Sequence, residues 1–167
     1  MEATKETYPA YTVIISNLLN VLLYSAGALV LFQFGTYYLI PYFIYILLLE
    51  IRLLKLGCTK CYYFGKVCAF GKGKISSFFF SKDESVKFCD RPISKLDFFF
   101  DSLTALVPLI AGVIMMFTDF SMYILILCLF IVILTTAGNA CVRGQLACKH
   151  CRQKELGCPA EQAFGGK

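Results

Sequence analysis

The chain reads as an all-α integral membrane protein. Four transmembrane helices form two hairpins, and each hairpin is followed by a cytoplasmic Cys-x2-Cys-x6-Cys segment. Three observations carry that reading. Hydrophobic residues make up 58% of the 167 positions and charged ones 16%, with a mean hydropathy of +0.69, far from a soluble domain. The apolar residues gather into four stretches, each near the ~20 residues that cross a hydrocarbon core. Six of the nine cysteines fall into two copies of one spacing, Cys58, Cys61, Cys68 and Cys148, Cys151, Cys158, one copy behind each pair of stretches.

Residues 11–32 form the first span. The preceding Met-Glu-Ala-Thr-Lys-Glu lacks the basic n-region of a secretory signal, so the run is read as a retained helix. Asn17, Asn20 and Tyr24 share one side of it, continued by Gly27, and act as glue between helices. Residues 37–54 form the second span. Glu50 and Arg52 stand at its end, and Tyr37, Tyr38, Tyr42 and Tyr45 belong mostly to an aromatic belt at the opposite face, with the last two lying deeper. Residues 98–117 form the third, entered by Asp97 and Asp101 as boundary residues, with a small packing face of Ala105, Pro108, Ala111 and Gly112. Residues 120–137 form the fourth. The chain is a single membrane domain, with no room for a separate soluble one.

Between the hairpins, residues 55–97 interleave basic residues with aromatics: Tyr62-Tyr63-Phe64, Phe70-Gly71-Lys72-Gly73-Lys74, residues 75–80 and Lys87-Phe88. On a membrane protein this is an interfacial segment, with aromatics at the headgroups and lysines near anionic lipid, and not a nucleic-acid surface. Residues 138–167 form a second cysteine-rich segment, the tail. The hairpin turns, near Phe34-Gly35 and Thr118-Asp119, contain no Lys or Arg. All sixteen basic residues therefore lie on the side of the termini, which the positive-inside rule makes cytoplasmic.

That topology places every cysteine except Cys128 where thiols stay reduced, and an odd total also argues against a disulfide scaffold. Cys128 is a small buried hydrophobe. Thiolates at Cys-x2-Cys spacing suit zinc, or an iron–sulfur cluster, and Lys60, Lys66, Lys149 and Arg152 would favour the charged sulfurs. Continued as helices, each copy would collect its sulfurs on one face, within about 80° for the first and about 100° for the second with Cys141. As loops, the Cys-x2-Cys pairs would serve as chelate turns. Flanking residues repeat too: Gly57-Cys58 compares with Ala147-Cys148, and Ala69-Phe70-Gly71-Lys72 with Ala163-Phe164-Gly165-Gly166-Lys167.

The half-motif resembles the Cys-x2-Cys-x6-Cys half of the fungal binuclear zinc-cluster domains, in which six thiolates hold two zinc ions. The resemblance covers Cys58, Cys61, Cys68, Cys148, Cys151 and Cys158 alone, and 79 residues separate the halves here. It implies coordination arithmetic and nothing about DNA. The candidate metal ligands are therefore those six, with Cys89 and Cys141 as candidate completions. His150, between Cys148 and Cys151, reads as an exposed polar side chain, with a ligand or proton acceptor as the weaker alternative.

The expected function is a small membrane protein whose cysteine cluster binds zinc and serves as a structural or docking component of a membrane assembly. Its partners are the bilayer, anionic headgroups at the basic face, and a protein partner or second copy met through the membrane helices. One alternative is a redox protein, either an iron–sulfur electron carrier or a thiol–disulfide exchanger. The other is soft-metal handling, which Cys128, Met115 and Met116 alone would serve inside the bundle. No catalytic constellation is present: there is no Gly-x-Ser-x-Gly elbow, no phosphate-binding glycine loop and no carboxylate pair in a span.

Overall fold

A computed structural model describes residues 6–83, 95–156 and 158. The described residues are helical, without strands. Helix α1 spans Ala10–Phe34, α2 Leu39–Leu56, α3 Lys72–Phe79, α4 Lys95–Thr118 and α5 Met122–Ile133. Three helical stretches are long and apolar enough to cross a membrane: Ala10–Phe34, Phe99–Thr118 and Met122–His150. Helix α2 stands where the second span was expected. It has 18 residues and carries Glu50, Arg52 and Lys55 near its end, too many charges to join those three by composition.

Helix α1 is the centre of the bundle. Its buried stripe, which includes Leu19, Leu23, Ala26, Val30 and Leu31, packs with Ala111 of α4 and with Leu127 and Ile131 of α5. One lock joins three helices. Pro108 inside α4 has no N–H, which frees the carbonyl four residues back, that of Thr104. The Tyr42 hydroxyl of α2 donates to that carbonyl at 3.0 Å. Gly27 of α1 makes room for the phenol, since a Cβ there would sit 2.3 Å from the Tyr42 oxygen. Tyr42 is thus buried packing and not part of an aromatic belt, whereas Tyr37 and Tyr38 are exposed as expected. One turn further along α2, the Tyr45 hydroxyl donates to the Phe100 carbonyl at 2.6 Å.

The last span does not end near residue 137. Beyond α5 the chain winds on as π-helix over Leu134–Gly138 and Ala140–Ala147. A change from i→i+4 to i→i+5 bonding disturbs the carbonyl ladder, and polar side chains bond into it there. Thr135 donates to Ile131 O at 2.9 Å, Thr136 to Val132 O at 2.7 Å, and Asn139 to Thr135 O at 3.2 Å. Gly138 admits Leu19, whose Cδ1 would lie 2.7 Å from a Cβ. The extension carries the chain out of the apolar bundle to the second cysteine copy.

Candidate functional site

Neither cysteine copy is helical throughout. Helix α2 stops at Leu56 and the π-helix at Ala147, and each gives way to a single 3-10 turn, Cys58–Lys60 and Cys148–His150. The cysteine copies are therefore turns and do not continue as one-face helices. The two turns share a backbone. Gly57 (φ −98°, ψ −56°) and Ala147 (φ −96°, ψ −64°) lead in. Cys61 (φ −78°, ψ 150°) and Cys151 (φ −80°, ψ 122°) then swing the chain into extended geometry. The Cys61 N–H donates to Cys58 O at 3.3 Å, and that of Cys151 to Cys148 O at 3.2 Å. A further turn follows each, from Phe64 N–H to Cys61 O at 3.0 Å and from Lys154 N–H to Cys151 O at 3.1 Å.

Backbone amides also reach the sulfurs. The N–H two residues on, of Tyr63 and of Gln153, donates to Cys61 and to Cys151 respectively. Cys68 accepts from the Gly73 N–H at 3.4 Å. Amide donors of this kind stabilise a thiolate over a thiol.

The two copies pack together. Tyr62 N–H donates to Gln153 Oε1 at 2.8 Å, and Arg152 N–H to the Tyr63 hydroxyl at 3.0 Å. Tyr8 ties both to the N-terminal segment. Its N–H donates to Val67 O at 3.0 Å, beside Cys68, and its hydroxyl to Ala147 O at 2.6 Å, beside Cys148. Its ring stands 5.6 Å from that of Tyr63, which is 1% exposed. Glu6 and Arg152 close the outside with an ion pair at 2.6 Å. Cys61, Cys68 and Cys151 pack against the apolar cluster that Tyr8, Tyr63, Ala69 and Ala147 form.

Within this module Cys61 feels the charges of Cys58, Cys68 and, across the junction, Cys151; Cys151 feels Cys148 and Cys158. Burial pushes the Cys58 thiol up to about 11 and Cys61 up to about 12, and it raises Cys151 as well. Lys72 opposes the shift at Cys58, and the amide donors oppose it at the other two, without reversing it. The buried thiols are therefore neutral near pH 7.

Among the described residues no three Cys, His, Asp or Glu side chains are grouped so as to hold one metal ion. Cys58, Cys61, Cys148 and Cys151 share a module without forming a ready tetrahedron. Cys141 is exposed on the π-helix, about two turns before Cys148. Cys128 is buried in the bundle, its sulfur 2.4 Å from where a Cβ on Gly112 would stand. Cys89 lies outside the described residues, and His150 is half-buried between Cys148 and Cys151.

No protein-family profile, no curated protein and no solved structure matches this chain. Several residues that build the module were not singled out for it by sequence pattern. Tyr63 was expected at a lipid headgroup and is instead the buried hinge between copies. Tyr8 and Gln153 carried no signal beyond proximity to a span end and to a cysteine. Gly73 was legible only as part of a Gly-Lys alternation; a Cβ there would stand 2.2 Å from the Tyr63 carbonyl oxygen. Beneath the module, Glu50 accepts from Lys72 at 2.6 Å and from the Tyr24 hydroxyl at 3.1 Å, while Asn17 donates to Phe70 O at 3.1 Å.

Proposed function

We propose that this is a four-span membrane protein whose paired cysteine segments form one zinc-binding module on the cytoplasmic face. The module ties the two hairpins together as a structural component of a larger membrane assembly. The observation that carries the reading is the shared backbone of the two Cys-x2-Cys turns, each with an amide directed at its second sulfur and the pair packed against one another. Such turns offer two thiolates to one tetrahedral ion. Zinc would draw on Cys58, Cys61, Cys148 and Cys151, by side-chain rotation about Cα positions that the turns fix, with Cys68 and Cys158 as further ligands.

The burial of Tyr42 against the α4 backbone supports α2 as the fourth span, because a helix locked between α1 and α4 shares their depth. All basic residues fall on one side of the four apolar stretches, which supports a cytoplasmic module that meets anionic headgroups and a protein partner.

Elemental analysis and an absorption spectrum of anaerobically purified protein test the proposal. Stoichiometric zinc without colour, lost in Cys61→Ser and Cys151→Ser, is expected. Iron with sulfide and a brown solution would replace zinc by an iron–sulfur cluster. Metal-free protein with fully reactive thiols would overturn the metal reading.

A further inference from the structure

Helix α3 is an amphipathic helix turned inside out. Its protein-facing side is small and polar: Gly73 and Ser76 are buried, and the Ser76 hydroxyl donates to Leu54 O of α2 at 3.0 Å. Gly73 presses on the first cysteine turn, and its carbonyl accepts the Gly65 N–H at 3.1 Å. The large apolar residues point away. Ile75, Phe78 and Phe79 are 45%, 75% and 74% exposed, and their i, i+3, i+4 spacing puts them on one arc about 100° wide. Lys72 and Lys74 border that arc, one on each side. Lys72 is engaged with Glu50, and Lys74 is exposed. Helix α2, to which Ser76 ties α3, also leaves Ile51, Leu53 and Leu56 exposed near this end.

We infer that the Ile75–Phe78–Phe79 face of α3 inserts into the headgroup boundary of the bilayer that the bundle crosses, with Lys74 beside anionic lipid. An amphipathic face of this kind seats about 5–10 Å into that boundary. Attachment of α3 to α2, itself apolar and widely exposed, selects lipid as the occupant, and the exposed Lys74 matches its charge. Because Gly73 and Ser76 bind α3 to the first cysteine turn and to α2, the insertion holds the thiol module at the membrane surface. The inference stands apart from metal binding.

The chain contains no tryptophan, so one introduced residue reports alone. Full-length Phe78→Trp and Phe79→Trp proteins are reconstituted in phosphatidylcholine–phosphatidylglycerol vesicles. Leu129→Trp, on the exposed side of α5, is the deep standard, and zinc is measured on the same samples so that the two proposals are judged separately. Expected is blue-shifted emission, quenched more by lipids brominated near the top of the acyl chain than by lipids brominated deep, with the order reversed for Leu129→Trp. Brominated phosphatidylglycerol should quench more than brominated phosphatidylcholine. Red-shifted emission open to an aqueous quencher would overturn the inference. So would blue-shifted emission indifferent to every brominated lipid, which means a protein cover. Equal quenching by the two headgroups would overturn its anionic half.

Discussion

Tyr63→Phe tests whether the two cysteine copies are held together as described. The change keeps the ring, which is 1% exposed and stacked edge-on against Tyr62 at 5.2 Å, and removes only the hydroxyl. That oxygen accepts the Arg152 N–H at 3.0 Å and is hydrogen-bonded to the Tyr8 hydroxyl. Tyr8 keeps its bond to Ala147 O, so the Arg152 amide is the group left unpaired in a partly buried site. An orphaned donor of this kind costs about 1–3 kcal/mol. At 1.4 kcal/mol per factor of ten, the open module becomes roughly 5- to 150-fold more populated. The assay is timed alkylation of the metal-free, full-length protein read by peptide mass spectrometry. The rates at Cys61 and Cys151 are divided by that at exposed Cys141, which needs no opening. The ratio should rise by that factor for both cysteines together. An unchanged ratio with intact helicity would refute the reasoning, because the Tyr63 contact would then not be what joins the copies.

Gly73→Ala places a Cβ 2.2 Å from Tyr63 O and 2.8 Å from Lys66 O, both backbone atoms that cannot swing aside, and should cost at least the ~1–3 kcal/mol of ordinary overpacking. Gly144→Ala meets nothing within 4 Å on a helical turn and should be neutral or stabilising by up to ~1 kcal/mol, so thermal unfolding of the pair separates contact from composition. Tyr42→Phe leaves the Thr104 carbonyl without the donor that Pro108 denies it and should cost roughly 0.6–2 kcal/mol in a reversible detergent or bicelle unfolding titration. The pH dependence follows from the thiols. Their folded values, about 11 for Cys58 and about 12 for Cys61, lie above the ordinary thiol range, so the stability they contribute to the metal-free module is full at neutral pH. It should fall as pH rises from about 9 through those values; a module that loosened between pH 6 and 8 would contradict this. Zinc uptake must expel those protons, so affinity measured by competition titration should climb with pH between 6 and 9. Chelation should speed thiol alkylation while leaving far-ultraviolet helicity intact, and helix loss on chelation would show that the tyrosine contacts alone cannot hold the module.

Periodicity and composition are properties of a segment, which is why the helices were legible before any coordinates. The apolar runs predicted α1, α2, α4 and α5 to within a few residues at most ends. The exception is the C-terminal end of the last span, placed at residue 137, where Thr135, Thr136 and Asn139 support a π-helical continuation. The repeated cysteine spacing did locate a repeated backbone, because a Cys-x2-Cys turn is set by four adjacent residues. What joins the copies was not legible. Tyr8 lies 139 residues from Ala147 and Tyr63 lies 89 from Arg152, and nothing local to either tyrosine distinguishes a buried hydroxyl from one at a headgroup. Gly27 and Pro108 were read as parts of two separate packing faces, yet their joint meaning needed the phenol of a third helix between them.

Two opposing effects act on the sulfurs, and their balance says what a metal would change. Burial favours the neutral thiol, while the Tyr63 and Gln153 amides and the Lys72 ammonium favour the thiolate. Here burial wins at Cys58, Cys61 and Cys151, and the closed form rests on bonds that involve no sulfur: Tyr8 to Val67 and Ala147, Tyr62 to Gln153, and Tyr63 to Arg152. The module is therefore preorganised, with its amide donors already aimed at Cys61 and Cys151 before either sulfur is charged. A soft cation that displaced the protons would find those donors in place and would gain their stabilisation without first ordering the chain.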